Sequence, residues 1–391
     1  MTSPLTVRVY GVRFGDAILI TVPDLDRDGE EVERRILIDV GNVGIGEGGA
    51  DFMFSEVLED VRGQLDGRNL DLYVLTHEHL DHAQGLLYAE EHGIEIRADH
   101  AWLPASTEDG YYTKHEDARK KQLAMRRSYD LIKKHFAAKE NPAWLEAMLL
   151  NNDYRSTAKC IEHIKRNVAN DVAYIHRDYD IGPHNPFQET RFDIWAPEEN
   201  TAVYYKGLRS VADPHDRTQE GAGLQQPSDL LPPSGVDADA FYNLVNIRKN
   251  GYLSNLLMID QAGNDSSIVF SMEWRGRTLL FTGDAGQLSW EMMNRPDIGK
   301  IREVDFLKVS HHGSVTGIPS IEILDALLPP GAVNQKKEAV VSTYPGTYGG
   351  IPAESLLKER VESRCKLSYV DKGKVADGKF IDIEFPPLHT P

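Results

Sequence analysis

The segment Thr76-His77-Glu78-His79-Leu80-Asp81-His82 places three imidazoles and the carboxylate of Asp81 close together, directly after the apolar run Leu72-Tyr73-Val74-Leu75. A short apolar run of this kind is typical of a buried strand. Imidazole and carboxylate side chains together suit zinc, manganese or iron, and a segment that leaves a strand can turn several of them towards one point. The sequence therefore predicts a metal site where this strand ends.

The spacing within the segment predicts how its ligands divide. His77 and His79 alternate along the chain and are expected to share one face, whereas Asp81 and His82 fall on the following turn. Such an arrangement can divide the ligands between two metal ions. The alternative is a surface loop of histidines and aspartate, or a helix N-cap at Asp81, since these residues favour loops and caps. A cap needs only one such residue, so the clustering favours metal binding.

Two later segments also bring metal-binding side chains to the ends of predicted strands. Asp284 follows the run 278–282 and a glycine, so its carboxylate could bridge two cations about 3.5–4 Å apart. His311 and His312 follow the predicted strand 304–309 and precede a glycine. One of these histidines is expected to bind metal and the other to form a nearby hydrogen bond, with His312 favoured as the ligand.

Taken in order, these motifs resemble the metallo-β-lactamase superfamily, whose hallmark is His-x-His-x-Asp-His. The supporting motifs are Phe14-Gly15-Asp16-Ala17-Ile18-Leu19-Ile20, Ile36-Leu37-Ile38-Asp39-Val40-Gly41, Leu279-Leu280-Phe281-Thr282-Gly283-Asp284 and Phe306-Leu307-Lys308-Val309-Ser310-His311-His312-Gly313-Ser314. Their order is similar to the subgroup that contains the nuclease-like domain of the ComEC DNA-uptake proteins. The resemblance spans residues 5–105 and 190–385 and implies an α/β fold, the four-layer αββα sandwich, with a helical insertion.

The resemblance also implies a metal-ligand set and a divalent cofactor, one or two ions per chain, with zinc favoured and manganese or iron as alternatives. The ligands are His77, His79, Asp81, His82, Asp284 and His312. His77 and His79 would hold one ion. Asp81 and His82 would hold the other, and Asp284 would bridge the two.

The catalytic residues that follow from this set are Asp81, which could orient the attacking water, and His312, which completes the ligands. Four further residues are expected around them without a settled role: Asp39, His311, Asn264 and Lys308. In the superfamily the residue at the position of Asp39 orders the metal loops, which is the role of a supporting hydrogen-bond partner. Lys308 could contact an anionic substrate.

Two departures from the superfamily pattern concern missing histidines. Many members have a further histidine where this chain reads Asn264-Asp265-Ser266-Ser267-Ile268-Val269-Phe270, which is predicted to be a strand. Relatives typically read Tyr-Gly-His-Pro where this chain has Tyr348-Gly349-Gly350-Ile351-Pro352. Either one metal site is weaker, or a histidine from elsewhere substitutes. The candidates are His100, His176, His184 and His215.

The function that this reasoning favours is hydrolysis of a phosphodiester bond by a metal-bound hydroxide. The substrate would be anionic, for example a nucleic acid or a nucleotide. A hydrolase of lactones, esters or amides would use the same metals. A binding or scaffold module with a degenerate metal site is the alternative from a different class, and a protein partner and the oligomeric state both stay open.

Composition is consistent with a cytoplasmic enzyme. The chain has 391 residues, of which 41% are hydrophobic, enough for a large core. No apolar run approaches the roughly 20 residues of a membrane helix, and the first residues lack the charged-then-apolar pattern of a secretion signal. Cys160 and Cys365 are far apart in sequence, so a disulfide framework is not expected.

The net charge of −18 argues against a simple nucleic-acid-binding protein, because it repels phosphate backbones at long range. Residues 114–134, however, are locally basic. They could contact nucleic acid, or they could form the solvated face of a helix. The second interpretation rests on a buried stripe at helical spacing, formed by Met125, Tyr129, Ile132 and Phe136.

A single domain is predicted for residues 1–391, with the segment 107–180 as a helical insertion and the segment 207–240 as a long flexible loop. The insertion is expected to contain helices over Glu116–Ala137, Pro142–Asn151 and Ser156–Ala169. It lies between metal motifs in sequence, which makes it a candidate lid. Further predicted elements are strands at Arg191–Pro197, Ala339–Ser342 and Lys366–Val370 and a helix at Ala353–Ser363.

Overall fold

The computed structural model of the chain describes residues 3–43, 52–137, 139–205, 252–331, 337–371 and 373–388. The predicted flexible loop at 207–240 and His215 lie outside the described residues.

The described chain contains both strands and helices. The strands are β1 Leu5–Tyr10, β2 Ala17–Leu25, β3 Glu31–Val40, β4 Leu70–Val74, β5 Ala98–Pro104, β6 Ala169–Ile175, β7 Thr190–Ala196, β8 Val269–Trp274, β9 Arg277–Phe281, β10 Phe306–Lys308, β11 Glu338–Ser342, β12 Lys366–Val370 and β13 Phe380–Phe385. The helices are α1 Phe52–Leu65, α2 Leu80–Ala83, α3 Gly85–Glu91, α4 Tyr111–Lys114, α5 Glu116–Phe136, α6 Ala143–Asn151, α7 Tyr154–His163, α8 Tyr252–Asp265, α9 Gln287–Met293, α10 Ile321–Leu327 and α11 Glu354–Leu356.

Within the described residues the strands form two sheets. The first has the order β13-β1-β2-β3-β4-β5-β6, and the second has the order β12-β11-β10-β9-β8-β7. Strands β3 to β6 run parallel to one another, as do β9 to β12. Parallel strands present their carboxyl ends at one edge of a sheet, where open α/β folds place their sites.

The core is divided into layers by the alternation of side chains along the strands. Ile36 and Ile38 of β3 belong to the apolar layer between the two sheets, together with Phe270 and Phe306 of the second sheet. Leu37 belongs to the layer that packs helices α1, α3 and α7 on the outer face of the first sheet. Helices α9 and α10 cover the outer face of the second sheet in the same way. The predicted four-layer αββα sandwich is therefore confirmed.

The helical insertion is shorter than the segment 107–180 that the sequence indicated. Helix α7 continues as a π-helical turn at Ile164–Val168, and the chain then enters strand β6, Ala169–Ile175, at the edge of the first sheet. Ala173 and Ile175 point into the layer between the sheets, whereas Val172 packs against the outer layer. This alternation has the period of a strand and ends the helical pattern.

The strand expected at Asn264–Phe270 was wrong in its first half. Asn264 lies in the last turn of helix α8, and strand β8 begins at Val269. The helix forms because Leu253, Leu256 and Ile259 recur every three residues and pack against the insertion helices. The predicted strands near residues 191, 339 and 366 and the helical segment after residue 353 are confirmed.

The basic segment lies on α4 and α5. Tyr129, Ile132 and Phe136 of α5 are buried in a cluster with α6 and α8, and Met125 packs against it. The charged residues on the other side of the helix are exposed, and they include Arg119, Lys120, Arg127 and Lys134. The stripe predicted from the spacing is therefore confirmed.

No helix among the described residues has the length and apolar character needed to cross a membrane.

Gly41, directly after β3, provides a test of how closely the segment 77–82 packs against the end of this strand. A β-carbon at Gly41 would lie well inside van der Waals distance of the backbone of Asp81 and His82. We expect Gly41→Ala to lower the free energy of unfolding by at least about 1–3 kcal/mol, because the added methyl group must displace backbone. The measurement is urea unfolding followed by circular dichroism.

The matched control is Gly63→Ala in helix α1, where nothing lies within 4 Å of an added β-carbon. This change should be neutral or should stabilise the protein by up to about 1 kcal/mol, since alanine favours helix more than glycine does. Equal stability of the two variants would contradict the close packing at Gly41.

Candidate metal centre

The site lies where carboxyl ends of strands from both sheets meet. Strand β3 carries Asp39 near its end, and β4 leads into the segment that contains His77 to His82. From the second sheet, β9 leads to Asp284 and β10 to His312. Strand order places β3 beside β4 and β9 beside β10, so side chains distant in sequence meet at one edge of the sandwich.

Four of the predicted ligands form a compact cage. Asp81, His82, Asp284 and His312 each offer an oxygen or nitrogen, and these atoms all lie within 4.8 Å of one another. The His312 Nε2 atom lies 3.2 Å from Asp284 Oδ2 and 3.5 Å from Asp81 Oδ2. The His82 Nε2 atom lies 3.4 Å from Asp284 Oδ2 and 3.7 Å from Asp81 Oδ1. The four side chains are essentially inaccessible to solvent.

Several atoms of this cage lack the partners that buried polar groups normally have. Asp81 Oδ1, Asp284 Oδ1, His82 Nε2 and His312 Nε2 are buried and make no hydrogen bond. Buried polar atoms left unpaired are costly, and each calls for an explanation. Two carboxylates and two imidazoles in one buried cage are the donor types that zinc and related cations take. The residues present therefore fit a divalent cation.

A second group of donors adjoins the cage. The His77 Nε2 atom lies 3.1 Å from His79 Nδ1, and these two histidines form a group with Asp81. Asp81 thus takes part in both groups, whereas the sequence reasoning had given the shared position to Asp284. A β-carbon at Gly263 of α8 would collide with the ring of His79, so the helix packs directly on this imidazole.

Asp39 holds the imidazole of His82 directly, and that of His77 through Thr76, by hydrogen bonds. Its carboxylate accepts hydrogen bonds from the Thr76 amide and hydroxyl, each at 2.8 Å, and from His82 Nδ1 at 2.8 Å. The Thr76 hydroxyl in turn accepts from His77 Nδ1 at 3.1 Å. With Nδ1 protonated in both rings, Nε2 of His77 and of His82 is left as the lone-pair donor. The buried Asp39 is thus placed to perform the ordering role that was expected of it.

His312 and His311 point in different directions. His312 Nδ1 donates to the Ser342 carbonyl at 3.1 Å, which leaves Nε2 facing the cage. His311 instead makes contacts of 3.2 Å with Asn264 Nδ2 and with the Thr316 hydroxyl. Both histidines have a positive φ, 48° for His311 and 52° for His312. Non-glycine residues rarely hold this conformation unless the surroundings enforce it, and here it aims His312 at the carboxylates.

The charges of the cage balance one another. Burial alone would lower the pKa of His82, but the carboxylates of Asp284 and Asp81 outweigh it and raise this pKa well above its ordinary value. The same competition raises the pKa of His312 to about 9. Burial would raise the pKa of Asp284, but His312 and His82 hold it well below its usual range. Without a cation, the cage is thus a set of imidazoliums and carboxylates at neutral pH.

The proposed contact between Lys308 and a substrate was wrong. Lys308 is 1% exposed, and its amine forms an ion pair with Asp16 and donates to the Gly283 carbonyl at 3.1 Å. It also lies 3.6 Å from Asp284 Oδ1. A buried ammonium must be paired to be tolerated, so Lys308 is committed to these partners and acts as a fixed positive charge behind the cage.

Replacement of the missing histidine, one of the two alternatives left by the sequence, does not occur through His100 or His184. Both hydrogen-bond to Asp171 and form a group separate from the HxHxDH segment. His176 lines another cavity, together with His115 and other residues of the insertion. His215 lies outside the described residues. No histidine of the described chain therefore joins the group of His77 and His79 in place of the missing one.

Two residues at the site had no role in the sequence reasoning. Asp16 is 1% exposed and pairs with Lys308. It belongs to the motif 14–20, and only the resemblance of that motif to the superfamily could have pointed to it. Asn151, at the end of α6, accepts a hydrogen bond from the Asp81 amide at 3.0 Å. Nothing in the sequence singles it out, because the contact depends on how the insertion folds over the site.

The cage opens into a cavity of about 460 Å³, which we call the vestibule. Its walls are mainly apolar and include Phe14, Trp144, Met148, Leu253, Leu257, Tyr348 and Ile351, with Asp81, Asp284, Asp260 and His311 among the polar residues. A second cavity, of about 390 Å³, borders His79 on the side of the insertion. Arg126 lines this second cavity, and its Nε atom is buried without a hydrogen-bond partner.

Removal of the Asp39 charge tests its ordering role. We expect Asp39→Asn to weaken zinc binding about 10–100-fold, because an amide can no longer accept from Thr76 and His82 together. The measurement is zinc affinity in competition with a chelator. The control is Asp28→Asn, an exposed residue of the turn after β2, and equal affinities in the two variants would contradict the role assigned to Asp39.

Cation binding should release protons. His82 and His312 have raised pKa values and are protonated at pH 7 in the absence of a cation, and a ligand imidazole must give up its extra proton. We expect about two protons to be released per cation at pH 7, and the affinity to increase as the pH rises towards 9. Calorimetry in buffers of different ionisation enthalpy measures this number, and binding without proton release would contradict the assignment.

Comparison with known proteins finds similarity among solved structures. No family model matches the chain, and no curated protein matches its sequence. The crystal structure of a long form RNase Z from yeast is similar with a TM-score of 0.35 and 11% sequence identity. The match covers 98% of this chain and 42% of that chain, so the chain spans less than half the length of that protein.

Proposed function

We propose that this chain is a metal-dependent hydrolase that cleaves phosphodiester bonds at the cage of Asp81, His82, Asp284 and His312. The observation that carries the proposal is the convergence of four buried donor groups, each of which has one atom without a hydrogen-bond partner. These four residues would hold a divalent cation, which would supply a bound water with a pKa of about 7 and positive charge for the attacked phosphate. The order of the sequence motifs further supports the ComEC-like subgroup and zinc as the metal.

The chain's own residues would divide the work as follows. Asp81, with Oδ1 free of hydrogen bonds, is positioned to orient the attacking water. Asp39 holds the ring of His82 in the orientation that ligation needs. Ser314 is not a candidate nucleophile, because its hydroxyl bonds to Thr316 and accepts from the Gly317 amide. A nucleophilic serine would instead need an adjacent base.

The two donor groups should bind cations with different affinity. The cage offers four donors, whereas the group of His77 and His79 has only Asp81 as a third. Fewer protein ligands leave more positions to water and weaken binding. One cation is therefore expected to stay with the protein during purification, while the second exchanges readily.

The preference for an anionic substrate rests on the cavity beside His79. Arg126 lines that cavity together with the carboxylates of Glu78, Glu108, Asp109 and Glu162, and its buried Nε atom makes no hydrogen bond. A guanidinium with unused donors suits a phosphate oxygen. A phosphate bound between Arg126 and the cage would place a diester next to the cations, which favours phosphodiester cleavage by this centre.

The insertion is proposed to act as a lid. Trp144 and Met148 of α6 form part of the vestibule wall, and Asn151 of the same helix holds the Asp81 amide. Helix α6 thus contacts both the vestibule, where a substrate would bind, and Asp81, a proposed metal ligand. A lid of this kind excludes water and shapes the substrate.

A second candidate function is hydrolysis of a lactone or another carboxylic ester. The apolar walls of the vestibule favour it, since an uncharged substrate would find more contact area there than a phosphate would. Both reactions use the same donors, so substrate assays decide between them.

A cytoplasmic location is part of the proposal and is supported by Cys160 and Cys365, which are buried free thiols.

The first test joins metal content to activity. We expect purified wild-type protein to contain zinc and to hydrolyse bis-p-nitrophenyl phosphate, and Asp284→Asn to lower kcat/KM at least about 100-fold together with the zinc content. His79→Ala should lower activity with a smaller loss of bound zinc, because the four-donor cage remains. The control is His92→Ala, which changes an exposed histidine and should leave both quantities unchanged. Wild-type protein without bound metal and without activity would contradict the hydrolase proposal.

The second test addresses the substrate. We expect Arg126→Ala to raise KM for the diester about tenfold with little change in kcat, because a charge-assisted contact to the substrate is lost. Arg127→Ala is the matched control, since the neighbouring side chain is exposed. Faster turnover of a lactone panel than of the diester, unaffected by either change, would favour the second candidate instead.

A further inference from the structure

A second cluster of metal-binding side chains lies away from the cage. It consists of His100, Asp171 and His184, whose potential ligand atoms all lie within 4.8 Å of one another. His100 Nδ1 donates to Asp171 Oδ2 at 3.0 Å, and His184 Nδ1 donates to the same oxygen. Two imidazoles from distant parts of the chain thus converge on one carboxylate.

Three different elements position the cluster. His100 of β5 and Asp171 of β6 are directly opposite each other in the parallel strand pair. His184 ends a 3-10 turn, Gly182–His184, in the connection between β6 and β7. Because β6 is the edge strand of the first sheet and β7 that of the second, this connection carries the chain from one sheet to the other.

The exposure of the three side chains suits an ion that keeps water as a ligand. His100 and His184 are about one-fifth exposed, at 23% and 21%, and Asp171 is 43% exposed. The cluster is therefore shielded but reachable from solvent. Partial burial alone would raise the pKa of Asp171, but its hydrogen bonds from His184 and His100 outweigh burial and lower it, so this side chain is ionised at neutral pH.

We propose that His100, Asp171 and His184 form a separate divalent-cation site, of the two-imidazole, one-carboxylate type that takes zinc. Ligands about 2.0–2.2 Å from a zinc ion lie roughly 3–3.6 Å from one another, so a small outward shift of the present contacts admits the ion. Each imidazole would move its Nδ1 proton to Nε2 by exchange with water, which frees Nδ1 to bind. Water would fill the remaining coordination position.

The consequence of binding would be structural. An ion shared by β5, β6 and the 3-10 turn would fix the connection between the two sheets. A ligand that binds only the folded state raises stability in proportion to the logarithm of its concentration above Kd. None of the three residues belongs to the cage, so this site neither requires the proposed hydrolase function nor supports it.

The test uses untagged, chelator-treated full-length protein, with the cage disabled by Asp284→Asn so that the two sites do not overlap. We compare Asp284→Asn with the double variant Asp284→Asn/Asp171→Asn, in which the amide keeps the shape of the side chain and can still accept hydrogen bonds. Zinc is titrated by equilibrium dialysis with elemental analysis, and cobalt is titrated with absorption spectra. The same pair is measured in a thermal melt with and without zinc.

The proposal expects the single variant to bind about one more equivalent of zinc than the double variant and to melt several degrees higher when zinc is present. A third protein, Asp284→Asn/His92→Ala, should behave like the single variant, because His92 is an exposed histidine outside the cluster. Equal stoichiometry and equal melting shifts in all three proteins would overturn the site. Loss of the extra equivalent on His184→Ala as well would assign it to these ligands.

Discussion

The carboxylate of Asp39 is the constraint on which the candidate site depends. It accepts from the amide and hydroxyl of Thr76 and from His82, and so it joins the end of β3 to the segment that follows β4. The residue is buried and has a φ of 52°, a left-handed conformation that few residues other than glycine adopt. Tight packing at Gly41 brings the metal segment within reach of this carboxylate. Loss of any of these contacts would free the imidazole rings to rotate away from the cage.

Charge compensation explains why so many ionisable groups can be buried together. Asp16, Asp39, Asp81 and Asp284 lie at the site, and Lys308 pairs with the first and approaches the last. In the absence of a cation, protons on His82 and His312 supply the remaining positive charge. A divalent cation could take the place of these protons, because it interacts with the same carboxylates. The fold is thus electrostatically suited to a cation, and protonation of the two imidazoles offsets the repulsion between the carboxylates.

The surroundings of the cage differ on its two sides. The vestibule is apolar and contains the Asp260 carboxylate, whereas the cavity beside His79 is more polar and contains Arg126. Helix α6 and helix α8 pack together through Leu145, Met148 and Leu256, so the insertion and the segment after residue 251 shape both spaces. Substrate choice would then be set by these helices, while the sheets supply the chemistry. This division between a rigid scaffold and a variable covering is common among folds that serve many reactions.

The sequence by itself predicted the αββα architecture and the residues that meet at the candidate site. Apolar strands followed by His, Asp and Gly motifs are local patterns, and local patterns predict where strands end. They could not reveal that β6 completes the first sheet, since its alternation is short and follows directly on a helical segment. Asn264 was placed on a strand for a similar reason, because the helix that contains it is recognised by its packing against α5 and α6.

Only the tertiary structure decided the orientation of individual side chains. Consecutive histidines at 311 and 312 are equivalent in sequence, but the backbone conformation and the Ser342 carbonyl turn only the second towards the carboxylates. Lys308 looked available in sequence, yet Asp16, almost 300 residues earlier, holds its amine. His100 and His184 were among the candidates to replace the missing histidine, but they meet at Asp171 instead. Sequence determines which groups are present, whereas their directions and partners depend on long-range packing that no local pattern encodes.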